Sequence, residues 1–140
     1  MPPRTPTLAS ATKPPDEKIT INLGYVDLGQ IDLLVQEGFY ANRTDLIRTA
    51  IRNQLAAHGD AVRQAVSRKT LVLGIQHYSA ADLLAVQTAG ETLQIRVLGL
   101  ASIAPDVTPE LALATIESLT VLGALHASPA VKSALRQRIR

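Results

Sequence analysis

Apolar and polar residues alternate along Lys18-Ile19-Thr20-Ile21-Asn22-Leu23. Period two, with β-branched residues on one side, predicts a short strand with a single buried face. Gly24 ends that run and the period changes. Leu28, Ile31, Leu34 and Val35 recur at helical spacing, which predicts a helix from about Tyr25 to Glu37 with one apolar face. Gly38 follows as a left-handed C-cap. A second helix opens around Asn42-Arg43-Thr44-Asp45, with a polar N-cap and an acid in its first turn. Its stripe is Leu46, Ile47, Ala50, Ile51 and Leu55, and it ends near His58-Gly59. The order is strand, helix, helix.

A unit of about 40 residues buries too little surface to fold by itself, and its strand has no partner in the same chain. A two-fold dimer resolves both problems by pairing two strands antiparallel over a shared helical core. The expected dimer core is Ile19, Ile21, Leu23, Ile31, Leu34, Ile47 and Ile51. Lys18, Thr20 and Asn22 from both copies then stand on one exposed face. The plain reading of that face is a solvated strand. The functional reading is a two-stranded ribbon that fits the DNA major groove, with Asn suited to adenine, Lys to guanine and Thr to a thymine methyl.

These residues resemble the ribbon-helix-helix repressors of the MetJ/Arc/CopG type. The resemblance covers roughly Lys18 to Ala57. It rests on KITINL, on the fifteen-residue interval from Gly24 to Gly38, and on GFYANRTDLIRTAIRNQL. It implies that Lys18, Thr20 and Asn22 read bases. It also implies that Asn42, Arg43 and Thr44 clamp a phosphate at the start of the second helix, where backbone N–H groups and the helix dipole favour an anion. Two departures loosen the first helix without touching the reading face. Gly24 stands where the family usually has proline, and Gly29 lies inside the helix at a cost of about 1 kcal/mol relative to alanine. Arg48 and Arg52, on the polar side of the second helix, read as solvated or dimer-rim charges.

The second half carries a different pattern. Val-Leu-Gly occurs at 72–74, 97–99 and 121–123, with the glycines 25 and 24 residues apart. Pro105 and Pro129 both lie six residues past their glycine, Val107 and Val131 eight past, and Leu111 and Leu135 twelve past. Each copy predicts a short apolar strand, a break at the glycine, a loop, and a helix opened by Ser79, Thr108 or Ser128, with Pro109 and Pro129 at first helical positions. The period suits a small β/α solenoid-like module with a parallel sheet. His77 and His126 occupy equivalent places two copies apart, too far to share one metal within a chain. A metal site shared across a dimer, with His58 as a third ligand, is the lesser reading beside surface or packing roles.

The expected fold class is α+β. Its parts are a tail at 1–16, a ribbon-helix-helix domain at 17–58, a connecting segment at 59–70, and a three-repeat strand-helix module at 71–140 for assembly or signal reception.

Composition narrows the functional classes. Apolar residues make up 46% of the 140 and aromatics only 3%, so the core is aliphatic and stacking platforms for single-stranded nucleic acid are absent. There is no cysteine, which excludes disulfides and thiol chemistry. No apolar run suits a secretory signal or a membrane span, so a cytoplasmic, nucleoid-associated protein is expected. Residues 1–16 hold five of the eight prolines and read as a disordered tail. Residues 1–70 carry net +2, residues 71–131 net −4, and the last nine residues net +4; the positive ends suit a polyanion. No phosphate-cradling loop, metalloprotease motif or nucleophile elbow occurs, and Asp106 and Glu110 are explained as helix-start residues. The chain is therefore expected to be no enzyme and to need no cofactor or metal. Its partners are double-stranded DNA and a second copy of itself. A transcriptional repressor is the first reading. An autoregulating antitoxin that masks a toxin and a DNA-anchored scaffold are the alternatives.

Overall fold

The computed structural model describes residues 16–140. The tail expected over residues 1–16 lies outside the described residues, Asp16 excepted. The chain is a mixture of helix and strand in two compact units, one of residues 16–65 and one of residues 66–140.

In the first unit, residues 16–24 take no regular secondary structure. The strand expected at 18–23 is thus not formed within one chain, because nothing there offers the ladder that its backbone groups require. Helices α1 (Tyr25–Gln36) and α2 (Arg43–Ala57) follow. The turn after α1 closes as a Schellman motif. Phe39 N–H donates to the Leu34 carbonyl at 3.0 Å and Gly38 N–H to that of Val35 at 3.1 Å, with Gly38 at φ +88°, a left-handed conformation that glycine adopts without a Cβ penalty. Neither helix has a buried residue.

Residues 59–70, read as a connector, are mostly helical: α3 spans Gly59–Arg68. Ala61, Val62, Ala65 and Val66 recur there at helical spacing among good helix formers, a pattern that the sequence reading passed over.

The second unit runs β1 (Val72–Tyr78), α4 (Ala80–Thr88), β2 (Leu93–Ile103), α5 (Pro109–Thr115), β3 (Ile116–His126), α6 (Pro129–Ala134) and a 3-10 turn (Arg136–Arg138). The strands form one parallel sheet in the order β1-β2-β3. Val72, Val97 and Val121 lie abreast, then Leu73, Leu98 and Leu122, then Gly74, Gly99 and Gly123. The glycines do not end the strands as expected. The strands run through them at φ +129°, +139° and +124°. A Cβ on Gly99 would run into the Gly74 carbonyl, and one on Gly123 into the Gly99 carbonyl. The ladder is therefore continuous only where neither clash exists.

Ser79, Thr108 and Ser128 each cap their helix, accepting from the N–H of Asp82, Leu111 and Val131 respectively. The core joins strand residues such as Val97, Ile116 and Leu119 to Leu83 of α4, Ala112 of α5 and Val131 of α6. Arg138 donates to the carbonyls of Leu113 and Ile116 at the end of α5. That cation is engaged by the fold, and the positive C-terminus is less free for a polyanion than its charge count implies.

Candidate nucleic-acid interface

Lys18, Thr20 and Asn22 are all exposed. So are the residues between them: Ile19 is 74% exposed, Ile21 60% and Leu23 40%. Three aliphatic side chains at alternate positions are left in water, each forgoing up to about 1.5–3 kcal/mol of burial. The other residues expected in the dimer core behave alike. Ile31 and Ile47 are half-buried, and Leu34 and Ile51 are exposed. The unit has an apolar side that none of its own described residues covers.

The start of α2 is built by its own sequence. Asn42 is the N-cap in extended backbone conformation, and its Oδ1 accepts the Asp45 N–H at 2.8 Å. Asp45 reaches back to accept the Ala41 N–H at 3.0 Å. The N–H groups of Arg43 and Thr44, at the first two helical positions, have no intrahelical acceptor. They are the pair left for an anion.

Arg43 does not reach outward. Its guanidinium holds Asp32 of α1 in a two-pronged pair, Nε to Oδ1 at 2.7 Å and Nη2 to Oδ2 at 2.8 Å. The hydrogen bond from Arg43 keeps the Asp32 carboxyl below the usual carboxylate range, and the same bond raises Arg43 above its ordinary value. This pair ties α1 to the start of α2, so the Arg43 side chain fixes geometry there while its backbone N–H stays without an intrahelical acceptor.

Arg48 and Arg52, expected as solvated or dimer-rim charges, line an open depression with Ala41, Asn42, Thr44 and Asp45. Among the described residues, ion pairs form at Arg43–Asp32 and Arg63–Asp60, and neither Arg48 nor Arg52 takes part. The signal was available in the sequence. Thr44, Arg48 and Arg52 are spaced by four, which places them on one helix face behind the N-terminus.

In the second unit, His77 and His126 both pair with Ser102 in register, and His77 Nδ1 lies 3.2 Å from the Ser102 hydroxyl. No group of three or more metal-ligating side chains occurs among the described residues. No helix among them is long and apolar enough to cross a membrane.

A model of the ribbon-helix-helix transcriptional regulator family matches residues 14–132. The match takes in the first unit and all three strands of the second. No curated protein matches the chain, and no solved structure does.

Proposed function

The chain belongs to the ribbon-helix-helix transcriptional regulator family, whose members are DNA-binding regulators, and from that premise we propose that it is a homodimeric repressor reading the DNA major groove with a two-stranded β-ribbon. The ribbon consists of residues 18–23 of two copies, paired antiparallel within a dimerisation domain at 17–58. Lys18, Thr20 and Asn22 are the base-reading residues. The backbone N–H groups of Arg43 and Thr44, set by the Asn42 cap, clamp a phosphate, and Arg48 adds charge one turn further on.

The observation that carries this reading is the first unit's missing core. Neither α1 nor α2 has a buried residue, while Ile19, Ile21 and Leu23 alternate in water. A second copy supplies both the strand partner and the apolar cover. Pairing also puts the polar alternates of two copies side by side, at a width that the major groove admits. Charge favours the same unit. Residues 71–131 carry net −4 and are repelled by phosphate, which leaves residues 71–140 to assembly or signal reception. The protein works where chromosomal DNA is, in the cytoplasm.

The test is binding to DNA from upstream of the protein's own gene across a salt series. Wild type is compared with Lys18→Ala/Thr20→Ala/Asn22→Ala. The expected result is a preference for one fragment of roughly 10³ or more over random DNA, lost in the triple variant while the dimer persists. Equal binding of all DNA by both proteins, with one steep salt slope, refutes base reading by the ribbon.

A further inference from the structure

Val97, Ala101 and Leu119 of the second unit's sheet share one core with Leu83, Ala112 and Val131 of α4, α5 and α6. On the opposite face Arg96 donates to the Lys69 carbonyl and the Thr70 hydroxyl, and Arg68 and Lys69 lie beside Leu122 at its border. The alternate positions form the other face, and two of its rows are wholly apolar: Leu73, Leu98 and Leu122, then Ile75, Leu100 and Ala124. Leu73 is 68% exposed, Ile75 63% and Leu122 50%. Parallel sheets are ordinarily covered on both faces. A polar row borders the patch at each end, with Arg96 and Thr120 on one side and His77, Ser102 and His126 on the other. Apolar residues rimmed by polar ones mark an interaction surface.

We propose that this face packs against the same face of a second copy, the one held by the N-terminal dimer; the proposal thus rests on the dimeric reading above. Area and charge both favour this occupant. At ordinary strand spacing and rise, the patch covers on the order of 200 Å² per copy. A pair would bury about 400 Å², short of the roughly 1,200 Å² at which specific interfaces stand alone. A free partner has too little to hold. A copy already tethered through the ribbon meets this face in an intramolecular step, which needs far less area.

The rows are also self-complementary when the strands of the two sheets run antiparallel. Leu122 then faces Ala124 of the second copy, large against small, and Leu73 faces Ile75. Arg96 faces Ser102. The parallel alternative would set Arg96 against Arg96, a repulsion that selects the antiparallel stack.

The chain has no cysteine, so Leu122→Cys introduces a single thiol on this face. A short bismaleimide spans the roughly 10 Å between stacked sheets. The full-length variant is expected to give a cross-linked dimer at least tenfold faster than Ser133→Cys, an exposed control on α6. Adding Leu73→Lys should remove that advantage while sedimentation still reports a dimer. Leu73→Cys, with Leu122→Lys as its disrupting change, repeats the test should the first variant fold poorly. A dimer by sedimentation in which the face thiol reacts no faster than the control overturns this proposal and leaves the N-terminal dimer standing. A monomer overturns both.

Discussion

Substituting alanine for the glycines of the ladder separates two costs that ordinarily come together. Gly74, Gly99 and Gly123 share nearly the same positive φ, +129°, +139° and +124°. Any L side chain is strained there, by about 1–3 kcal/mol. Their surroundings differ. A Cβ on Gly74 meets nothing within 4 Å, whereas on Gly99 it would run into the Gly74 carbonyl, whose carbon lies at 3.0 Å. On Gly123 it would strike the Gly99 carbonyl in the same way, with the carbon again at 3.0 Å. These obstacles are backbone in a paired strand, which cannot rotate aside as a side chain does. Opening the ladder to admit the methyl adds about 1–3 kcal/mol, the usual range for overpacking. Gly74→Ala is therefore expected to cost about 1–3 kcal/mol by the strain alone. Gly99→Ala and Gly123→Ala should each cost about 2–6 kcal/mol when overpacking is added. For a unit of this size the excess lowers Tm by at least about 4 °C beyond the Gly74 variant. Thermal unfolding of the full chain, followed by far-ultraviolet circular dichroism, reads the difference. Three variants melting together would refute the stacked-carbonyl account, because shared backbone strain would then explain everything.

Three further outcomes follow from the same geometry. Ile21→Asp places a charge where the proposed dimer has its core, and sedimentation equilibrium should show dimer affinity reduced at least about 100-fold, a loss of some 3 kcal/mol; an unchanged dimer would exclude Ile21 from the interface. Ser79→Ala removes the hydroxyl half of the reciprocal cap on α4 and should cost about 1 kcal/mol in urea unfolding. The Asp82 carboxyl, held low chiefly by the Ser79 backbone hydrogen bond and then by its hydroxyl, should titrate higher in that variant by NMR. Asp32 is also depressed in the folded state, so its contribution to stability is present above the ordinary carboxylate pKa and fades as pH falls through the folded value. Arg43→Ala should return Asp32 to the ordinary range and remove that part of the acid sensitivity, and an Asp32 titration unmoved by the variant would contradict the pair.

Much of the local structure was legible because it depends on neighbours in the chain. Gly38 at a helix end, Asn42 at a helix start and the caps at Ser79, Thr108 and Ser128 are each decided within four residues. Periodicity placed α1 and α2 for the same reason. What escaped the sequence depends on contacts distant in the chain. Arg43 and Asp32 are eleven residues apart and meet only once the turn between α1 and α2 is folded, so the brace made by the Arg43 side chain is not legible in the sequence. The ladder glycines were read as strand breakers, the common meaning of glycine in an apolar run. Only the register shows that each lies against the carbonyl of the strand before it. The helix at 59–68 was missed for a weaker reason, since its apolar positions are alanine and valine and stand out little from the polar residues around them.

Charge and engagement together favour the first unit as the one proposed to meet DNA. The C-terminal residues 132–140 carry net +4, which at sequence level competes with the ribbon as a binder of phosphate. Arg138, however, donates to two carbonyls at the end of α5, and the Arg140 N–H bonds to the Leu119 carbonyl on β3. A guanidinium that moved to a phosphate would give up both hydrogen bonds, one exposed and one part-buried, each worth about 0.5–1.5 kcal/mol net. The segment just before it, 71–131, carries net −4 and repels the same polyanion. At the start of α2 the balance is the reverse. Arg48 and Arg52 form no ion pair among the described residues, and the depression that they line also takes in Asn42, Thr44 and Asp45 at the start of α2. A phosphate bound there would break no ion pair of either arginine. The salt dependence of DNA binding should therefore follow Arg48 and Arg52. Arg48→Ala should weaken specific and random DNA alike and lower the salt slope by about one, while Arg138→Ala should lower the melting temperature and leave the slope as it was.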